Sequence, residues 1–231
     1  MDHIEPRRDA YRTGGYFAAR LPHDVLRGPL WRVLCSYLQR YIPDQAEILE
    51  LGGGYCDFIN NIRSGSRHVI DLFPDLPRYA AKGVTPHVQS CTDMDGFPDG
   101  RFACVFASNL FEHLTREQLY QTLAECRRVL RPNGRLILVQ PNFRYCYRQY
   151  FDDYTHIQIF THMSMCDLLT SAGFHPVTVI ARFLPFSLKG RAPKWPWLLR
   201  VYLCLPWRPF AGQMLIVAES TKPHESHADP G

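Results

Sequence analysis

The chain has 231 residues, enough for one large domain or for one domain with a small appendage. Hydrophobic residues make up 46% and charged residues 21%, which supports a single apolar core, while a net charge of +4 is too mild to mark a nucleic-acid-binding protein. Eight cysteines are spread along the chain without a CxxC pair, often inside apolar runs, which excludes a disulfide framework and a zinc cluster and points to reduced thiols in a cytoplasmic compartment.

Residues 1–23 are polar with scattered aromatics and hold no apolar h-region, so no secretory signal is expected. From Asp24 onward, Val25, Leu26, Leu30, Val33, Leu34, Tyr37, Leu38 and Tyr41 recur at helical spacing; Asp24 is the expected cap and Pro43 the stop. Segment 1–44 therefore reads as an N-terminal cap with one helix. "AEILEL" (46–51) follows as a short buried strand, "CDFINNI" as a helix start, and "SRHVIDL" (66–72) as a second strand. "VTPHVQS" is a weak third strand and "RFACVFASN" (101–109) a strong fourth. "TREQLYQTLAECRRVLRPNG" carries a threonine cap with Gln118 three residues on, then an apolar stripe, then "RPNG" as its stop. A fifth strand (135–141), a polar-aromatic loop, a helix at "SMCDLLTSAGF" and two strands at "PVTVIARF" and "GQMLIVAES" complete the order. Strands alternating with helices predict an α/β, doubly wound, mostly parallel seven-stranded sheet. The core spans 45–182 and regains its last strand at 213–220; 183–212 is an insertion, and 221–231 reads as a disordered tail. No run of about 18 apolar residues is present to span a bilayer as a helix.

The first strand dissolves into Gly52, Gly53 and Gly54. In an open α/β sheet ligands bind beyond the carboxyl ends of the strands, and glycines there let the backbone bend and approach a ligand closely. Asp71 ends the second strand about twenty residues later, where a carboxylate accepts both hydroxyls of a ribose. The combination indicates an adenosine-type ligand. Glu50, just before the glycines, would repel the pyrophosphate of a dinucleotide but suits a cationic ligand with an amino acid head, which is S-adenosylmethionine.

With "ELGGGYC", Asp71, "SCTDMDGFPDGRFACVFASNLFEHL" and "LAECRRVLRPNGRLILVQPN", the chain resembles a class I S-adenosylmethionine-dependent methyltransferase of the small-molecule type over about residues 45–180. The resemblance implies a Rossmann-like fold with S-adenosyl-L-methionine as cofactor. It places the methionine end near Gly52, Gly53 and Gly54 with Glu50 close by, and the ribose on Asp71 flanked by Leu72. Thr92 and Asp93 would then lie by the adenine edge, and Asn109 would face the reacting end. Cys56 stands where many members have a third glycine.

A sulfonium methyl is already electrophilic, so the protein has to align the acceptor and, for a hydroxyl, take its proton. Histidine suits that task near neutrality. His156, in "YFDDYTHIQIF", is the preferred base or acceptor anchor, with Asp152 and Asp153 placed to orient it; His113, in "SNLFEHL", is second. His162 reads as the entry to the following helix. No second acidic cluster accompanies Asp152 and Asp153, so no metal is expected. Asn109 lies in "SNLF" rather than in an Asn/Asp-Pro-Pro-aromatic tetrapeptide, which argues against a nucleic-acid acceptor.

Within 183–212, Trp195, Trp197 and Trp207 flank the apolar run "LLRVYLCL", and no acid occurs from Leu168 to Ala218. That composition fits a membrane-interfacial segment or a basic, amphipathic lid over the acceptor. The expected protein is thus a methyltransferase acting on a small-molecule, glycan or lipid-linked acceptor, at oxygen, in the cytoplasm or at the inner face of the membrane. The alternatives are a protein or RNA methyltransferase and, because of Cys56, a non-catalytic S-adenosylmethionine-binding partner protein.

Overall fold

Side chains on consecutive residues of a strand point to opposite faces of the sheet, and here both faces are apolar. Ile48, Phe106, Ile137, Val139, Leu215 and Val217 fall on one side, and Leu49, Val105, Leu136, Leu138, Met214 and Ile216 on the other. A sheet apolar on both faces requires a layer on each side. The computed structural model, which describes residues 11–20, 22–185 and 195–221, has that arrangement. Seven strands, β1 (Glu47–Leu51), β2 (Ser66–Asp71), β3 (Val84–Val88), β4 (Phe102–Ser108), β5 (Leu130–Pro141), β6 (Phe174–Pro185) and β7 (Ala211–Ser220), form one sheet of order β3-β2-β1-β4-β5-β7-β6. The strands from β3 to β5 are parallel, and β7 runs antiparallel to both β5 and β6. Helix α1 (Arg27–Leu38) covers the first face through Leu30, Leu34 and Leu38. Helices α2 (Arg116–Val129) and α3 (His162–Ser171) cover the second through Leu119, Leu123, Met165 and Leu169.

Both helices on the second face begin with reciprocal capping. The Thr115 hydroxyl accepts from the Gln118 N–H while Gln118 accepts from the Thr115 N–H, and Thr161 with Ser164 repeats the device. Gly173, at φ +82°, ends α3 in the left-handed region.

Several local expectations fail for physical reasons. Segment 1–44 holds a short helix at Gly15–Arg20 besides the expected one. The expected one starts at Arg27 and not at Asp24, because the Asp24 carboxylate is turned onto the Leu26 N–H and leaves Val25 and Leu26 exposed. "CDFINNI" forms turns, not a helix: Cys56 sits at φ +59°, and the Ile59 N–H goes to the Glu50 carboxylate at 3.0 Å. "RPNG" is not a free helix stop. It bulges out of β5, whose pairing jumps from Phe102–Leu130 to Cys104–Arg135, with Asn133 at φ +59°. Gly134 fits there because a Cβ would stand 2.8 Å from the Arg131 carbonyl oxygen.

The insertion is shorter than 183–212, since residues 183–185 belong to β6 and 211–212 to β7. Residues 1–10 of the cap, 186–194 of the insertion and 222–231 of the expected tail lie outside the described residues. Helix α4 (Pro196–Cys204) buries Leu199 and Leu203 in the core cluster that α1 joins. Its remaining surface and flanks expose Trp195, Trp197, Val201, Trp207 and Phe210, the last 90% exposed.

Candidate active site

Strand order reverses between β1 and β4, and the carboxyl ends of the strands diverge there, which opens a crevice. A cavity of about 810 Å³ occupies it, lined at one end by Glu50, Gly52–Gly54, Asp71, Leu72 and Thr92 and at the other by Glu112, His113, Asp153 and His156.

At the first end the glycine turn is folded onto β2. The Gly52 and Gly53 N–H groups donate to the Ile70 carbonyl at 2.9 and 3.3 Å. Gly52 and Gly54 adopt φ of +66° and +51°, and at Gly53 a Cβ would stand 2.1 Å from Val69 Cγ2. The first two glycine requirements are conformational and the third is steric. Asp71 binds the turn together: Oδ2 accepts from the Gly54 N–H and Oδ1 from the Phe73 N–H, both at 2.8 Å. Burial pushes its carboxyl above the ordinary value, against the pull of the N–H groups of Gly54, Phe73 and Leu72. The four lone-pair positions of the carboxylate exceed its backbone donors, so it can still accept from a ribose hydroxyl. Glu50 is 4% exposed, and burial raises its carboxyl well above the carboxylate range; the Ile59 N–H opposes that, and Asp57 and Asp71 add to it.

Asn109 ends β4 in the left-handed conformation at φ +50°, with its side-chain oxygen 3.4 Å from the Gln213 amide, and it lines the cavity where the two ends meet. Asparagine is among the few non-glycine residues that adopt that region readily, which suits it to the turn that ends β4. Thr92 lines the cavity and shares a 2.7 Å hydrogen bond with Ser90. Asp93, expected beside it, does not line the cavity; its Oδ1 accepts from the Asp95 N–H within its own turn. Ser90 and Cys91 stand at the cavity wall instead, in the loop after β3, and both were passed over in the sequence although they precede Thr92 directly.

The second end is assembled by a contact distant in sequence. The Glu112 backbone carbonyl accepts from the N–H groups of Ile157 and Gln158 at 2.9 and 3.1 Å, which lays the loop carrying His156 against the turn carrying His113. The two imidazoles are 4.9 Å apart between ring centres. His156 Nδ1 lies 2.7 Å from the Tyr150 carbonyl oxygen; since a carbonyl can only accept, Nδ1 carries the proton. Asp153, expected to orient His156, accepts from the Thr155 hydroxyl at 2.6 Å, and that hydroxyl oxygen lies 2.9 Å from His113 Nδ1. With its own proton committed to Asp153, Thr155 accepts from His113, so Nδ1 is again the protonated nitrogen. Burial alone would raise the Asp153 carboxyl, but the Thr155 hydroxyl and N–H, with His113 and His156 nearby, hold it below its ordinary value. Tyr16 adds a hydroxyl 3.3 Å from Asp153 Oδ2. His162 opens α3, as expected, and its Nδ1 lies 3.1 Å from the Asn142 amide, away from the cavity.

Glu112 was missed in the sequence. It is 1% exposed, both carboxylate oxygens are buried with no hydrogen-bond partner among the described residues, and burial pushes its carboxyl up to about 8. An acid in the apolar setting of "NLFEHL", next to a candidate histidine, was the available signal.

A lid over the acceptor is not what the described part of the insertion forms. None of residues 195–210 lines the cavity; α4 packs with α1 on the far side of the first face. Its basic character is also reduced: Arg208 is 8% exposed, donates to the Leu203 carbonyl at 2.8 Å and stacks over Tyr37 and Phe183.

Residues 49–138 match the Methyltransferase domain family, a span that carries the glycine turn, Asp71 and the β4 end. No curated protein matches the sequence. Among solved structures the chain is similar to an S-adenosylmethionine-dependent methyltransferase from Archaeoglobus fulgidus, with TM-score 0.62 and 18% identity over 91% of this chain and 100% of that one. It is similar to the 1,6-didemethyltoxoflavin-N1-methyltransferase of Burkholderia thailandensis, solved with 1,6-didemethyltoxoflavin and S-adenosylhomocysteine, at TM-score 0.57 and 19% identity over 94% and 88% of the two chains. It is similar too to the geranyl diphosphate C-methyltransferase of Streptomyces coelicolor, solved with Mg2+, geranyl diphosphate and S-adenosylhomocysteine, at TM-score 0.59 and 15% identity over 80% and 76%. At these identities the likeness is one of fold, a fold shared with S-adenosylmethionine-dependent methyltransferases, and the methyltransferase-domain match covers residues 49–138.

Proposed function

We propose that the protein transfers the methyl group of S-adenosylmethionine to a hydroxyl of a small-molecule, glycan or lipid-linked acceptor. The observation that carries this reading is the continuity of the cavity, which joins the glycine turn and Asp71 to a cluster of two imidazoles and a carboxylate. The donor lies along the first end, its ribose on Asp71 and its methionine head toward Glu50, with the methyl group directed past Asn109. The acceptor occupies the second end, where the cluster that contains His156 and His113 receives its hydroxyl. The two enzymes named above methylate nitrogen and carbon, so the fold class leaves the acceptor atom open; the imidazole cluster favours oxygen, whose proton has to leave. A protein or RNA acceptor has no feature of the cavity in its favour, and the cluster at the acceptor end speaks against a non-catalytic partner. Calorimetry with S-adenosylhomocysteine tests the donor half: one molecule should bind per chain, and absence of binding would remove the proposal.

A second observation favours a lipid-linked acceptor. Among the described residues no helix is long and apolar enough to cross a membrane, yet Trp195, Trp197, Val201, Leu205, Trp207 and Phe210 are all exposed within sixteen residues of chain, with the Trp195 and Trp197 rings stacked at 5.8 Å. Tryptophan-rich apolar surface flanked by basic residues, here Arg200 with Lys189, Arg191 and Lys194 of the adjoining sequence, suits the interface of an anionic bilayer.

A further inference from the structure

We propose that Glu112, His113 and His156 form a binding site for a divalent transition-metal ion such as Zn2+, Mn2+ or Co2+ at the acceptor end of the cavity. The inference rests on the methyltransferase reading and replaces the expectation of a metal-free site. Each of the three residues offers one ligand atom, and these atoms lie within 4.8 Å of one another. Around one ion, at metal–ligand distances of about 2.0–2.2 Å, ligand atoms stand about 3–3.5 Å apart, so binding draws the side chains inward by about 1 Å or slightly more. The two facing histidines and the carboxylate belong to the turn after β4 and the loop after β5, tied by the Glu112 carbonyl.

Glu112 supplies the observation that points to a ligand. Both its oxygens are buried without a hydrogen-bond partner among the described residues, and Glu112 lines the cavity. A buried carboxylate left without a donor is costly, and a bound cation removes that cost.

The histidines supply an independent one. In a neutral ring with Nδ1 protonated, Nε2 carries the lone pair and is the ligating atom. His156 is held in that tautomer by the Tyr150 carbonyl, and His113 by Thr155, itself fixed by Asp153. A backbone carbonyl or a carboxylate relay behind the distal ring nitrogen is what orients metal-binding histidines in general. The Nε2 of His113 lies 4.0 Å from Glu112 Oε1, so the ring already turns this atom toward the carboxylate. Two imidazoles and one carboxylate with cavity on the open side suit divalent first-row ions and leave coordination positions for an acceptor.

The chemistry follows from where the ion sits. An acceptor hydroxyl bound to it becomes more acidic and gives its proton to water. A lone pair of the resulting oxygen then attacks the methyl carbon; the O–C bond forms as the S–C bond breaks, and the bonding pair returns to sulfur to give S-adenosylhomocysteine. On this account His113 and His156 hold the ion and do not themselves take the proton.

The test uses the full chain stripped with a chelator and titrated with Co2+, followed by calorimetry and by visible absorption, with S-adenosylhomocysteine titrated in parallel. One equivalent should bind with a ligand-field band, and Glu112→Gln and His156→Ala should each weaken it at least tenfold while still binding S-adenosylhomocysteine. Thr155→Val, which removes only the support behind His113, should weaken it about 10–100-fold. His87→Ala, away from the cluster, should leave it unchanged. Absence of uptake by the wild type, or equal affinity in the Glu112 and His156 variants, would overturn the ion site; S-adenosylhomocysteine binding in that same sample would leave the donor reading standing. Ion uptake without S-adenosylhomocysteine binding would do the reverse.

Discussion

Asp71 does two things at once. Its carboxylate ties Gly54 and Phe73 by their N–H groups and presents its remaining lone pairs to the cavity. Asp71→Ala should therefore weaken S-adenosylhomocysteine binding by about 10–100-fold, the worth of one or two hydrogen bonds to a charged group. Unchanged affinity in calorimetry would remove Asp71 from the site. Gly53→Ala should cost about 1–3 kcal/mol in urea unfolding, because the added carbon collides with Val69 Cγ2; adding Val69→Ala should return part of that loss. These residues were legible in the sequence because the glycine turn and the acid at the end of β2 form a pattern written within two adjacent strands. Glu112 was not, because its position depends on a backbone contact with Ile157 and Gln158 across β5, which no local spacing encodes. Asp93 misled for the opposite reason: its sequence neighbourhood was right, but its short side chain closes onto its own turn.

Elements set where those residues stand. The loop after β3 that brings Ser90, Cys91 and Thr92 to the cavity continues to Asp99, and α2 pins it there. Glu125 accepts from the Met94 N–H at 2.8 Å and from Arg128 at 2.7 Å, while Arg128 donates to the Phe97 carbonyl at 2.7 Å. The Arg128 hydrogen bond first, set against burial, holds the Glu125 carboxyl below its ordinary value. A depressed acid stabilises the fold above its unfolded pKa of about 4.3 and loses that contribution as the pH falls through the lower folded value. Glu125→Gln should thus reduce stability by about 1–2 kcal/mol at neutral pH and progressively less in strong acid, read as converging urea midpoints; parallel curves at all pH values would contradict it. On α4 and the segment after it, replacing Trp197 and Trp207 by alanine should abolish co-flotation with anionic phospholipid vesicles. A wild-type chain that stays out of the lipid fraction would end the interfacial reading. The capped helices were legible because Thr115 with Gln118 and the turn at Gly173 are local devices. The bulge at Arg131–Gly134 was not, since "RPNG" carries the same letters whether it ends a helix or bends a strand, and the partner strand decides.

At the scale of the molecule, the order of the strands makes a single cleft of what the sequence presents as scattered motifs. β1 and β4 lie side by side, so Gly52 and Asn109 face the same opening, and the loop after β5 closes its far end with His156. The doubly wound sheet was predictable from the alternation of strands and helices, and its strand assignments held to within a few residues except at the start of β5. The separation of α4 from the cavity was not predictable, because an amphipathic helix shows its buried stripe but not the neighbour that covers it. The whole account turns on one donor lying along this cleft. A crystal structure with S-adenosylhomocysteine measures it directly: the ribose hydroxyls should lie within hydrogen-bonding distance of the Asp71 carboxylate, with the sulfur between the glycine turn and the Glu112–His113–His156 cluster. A nucleoside bound elsewhere, or a sulfur turned away from that cluster, would contradict it.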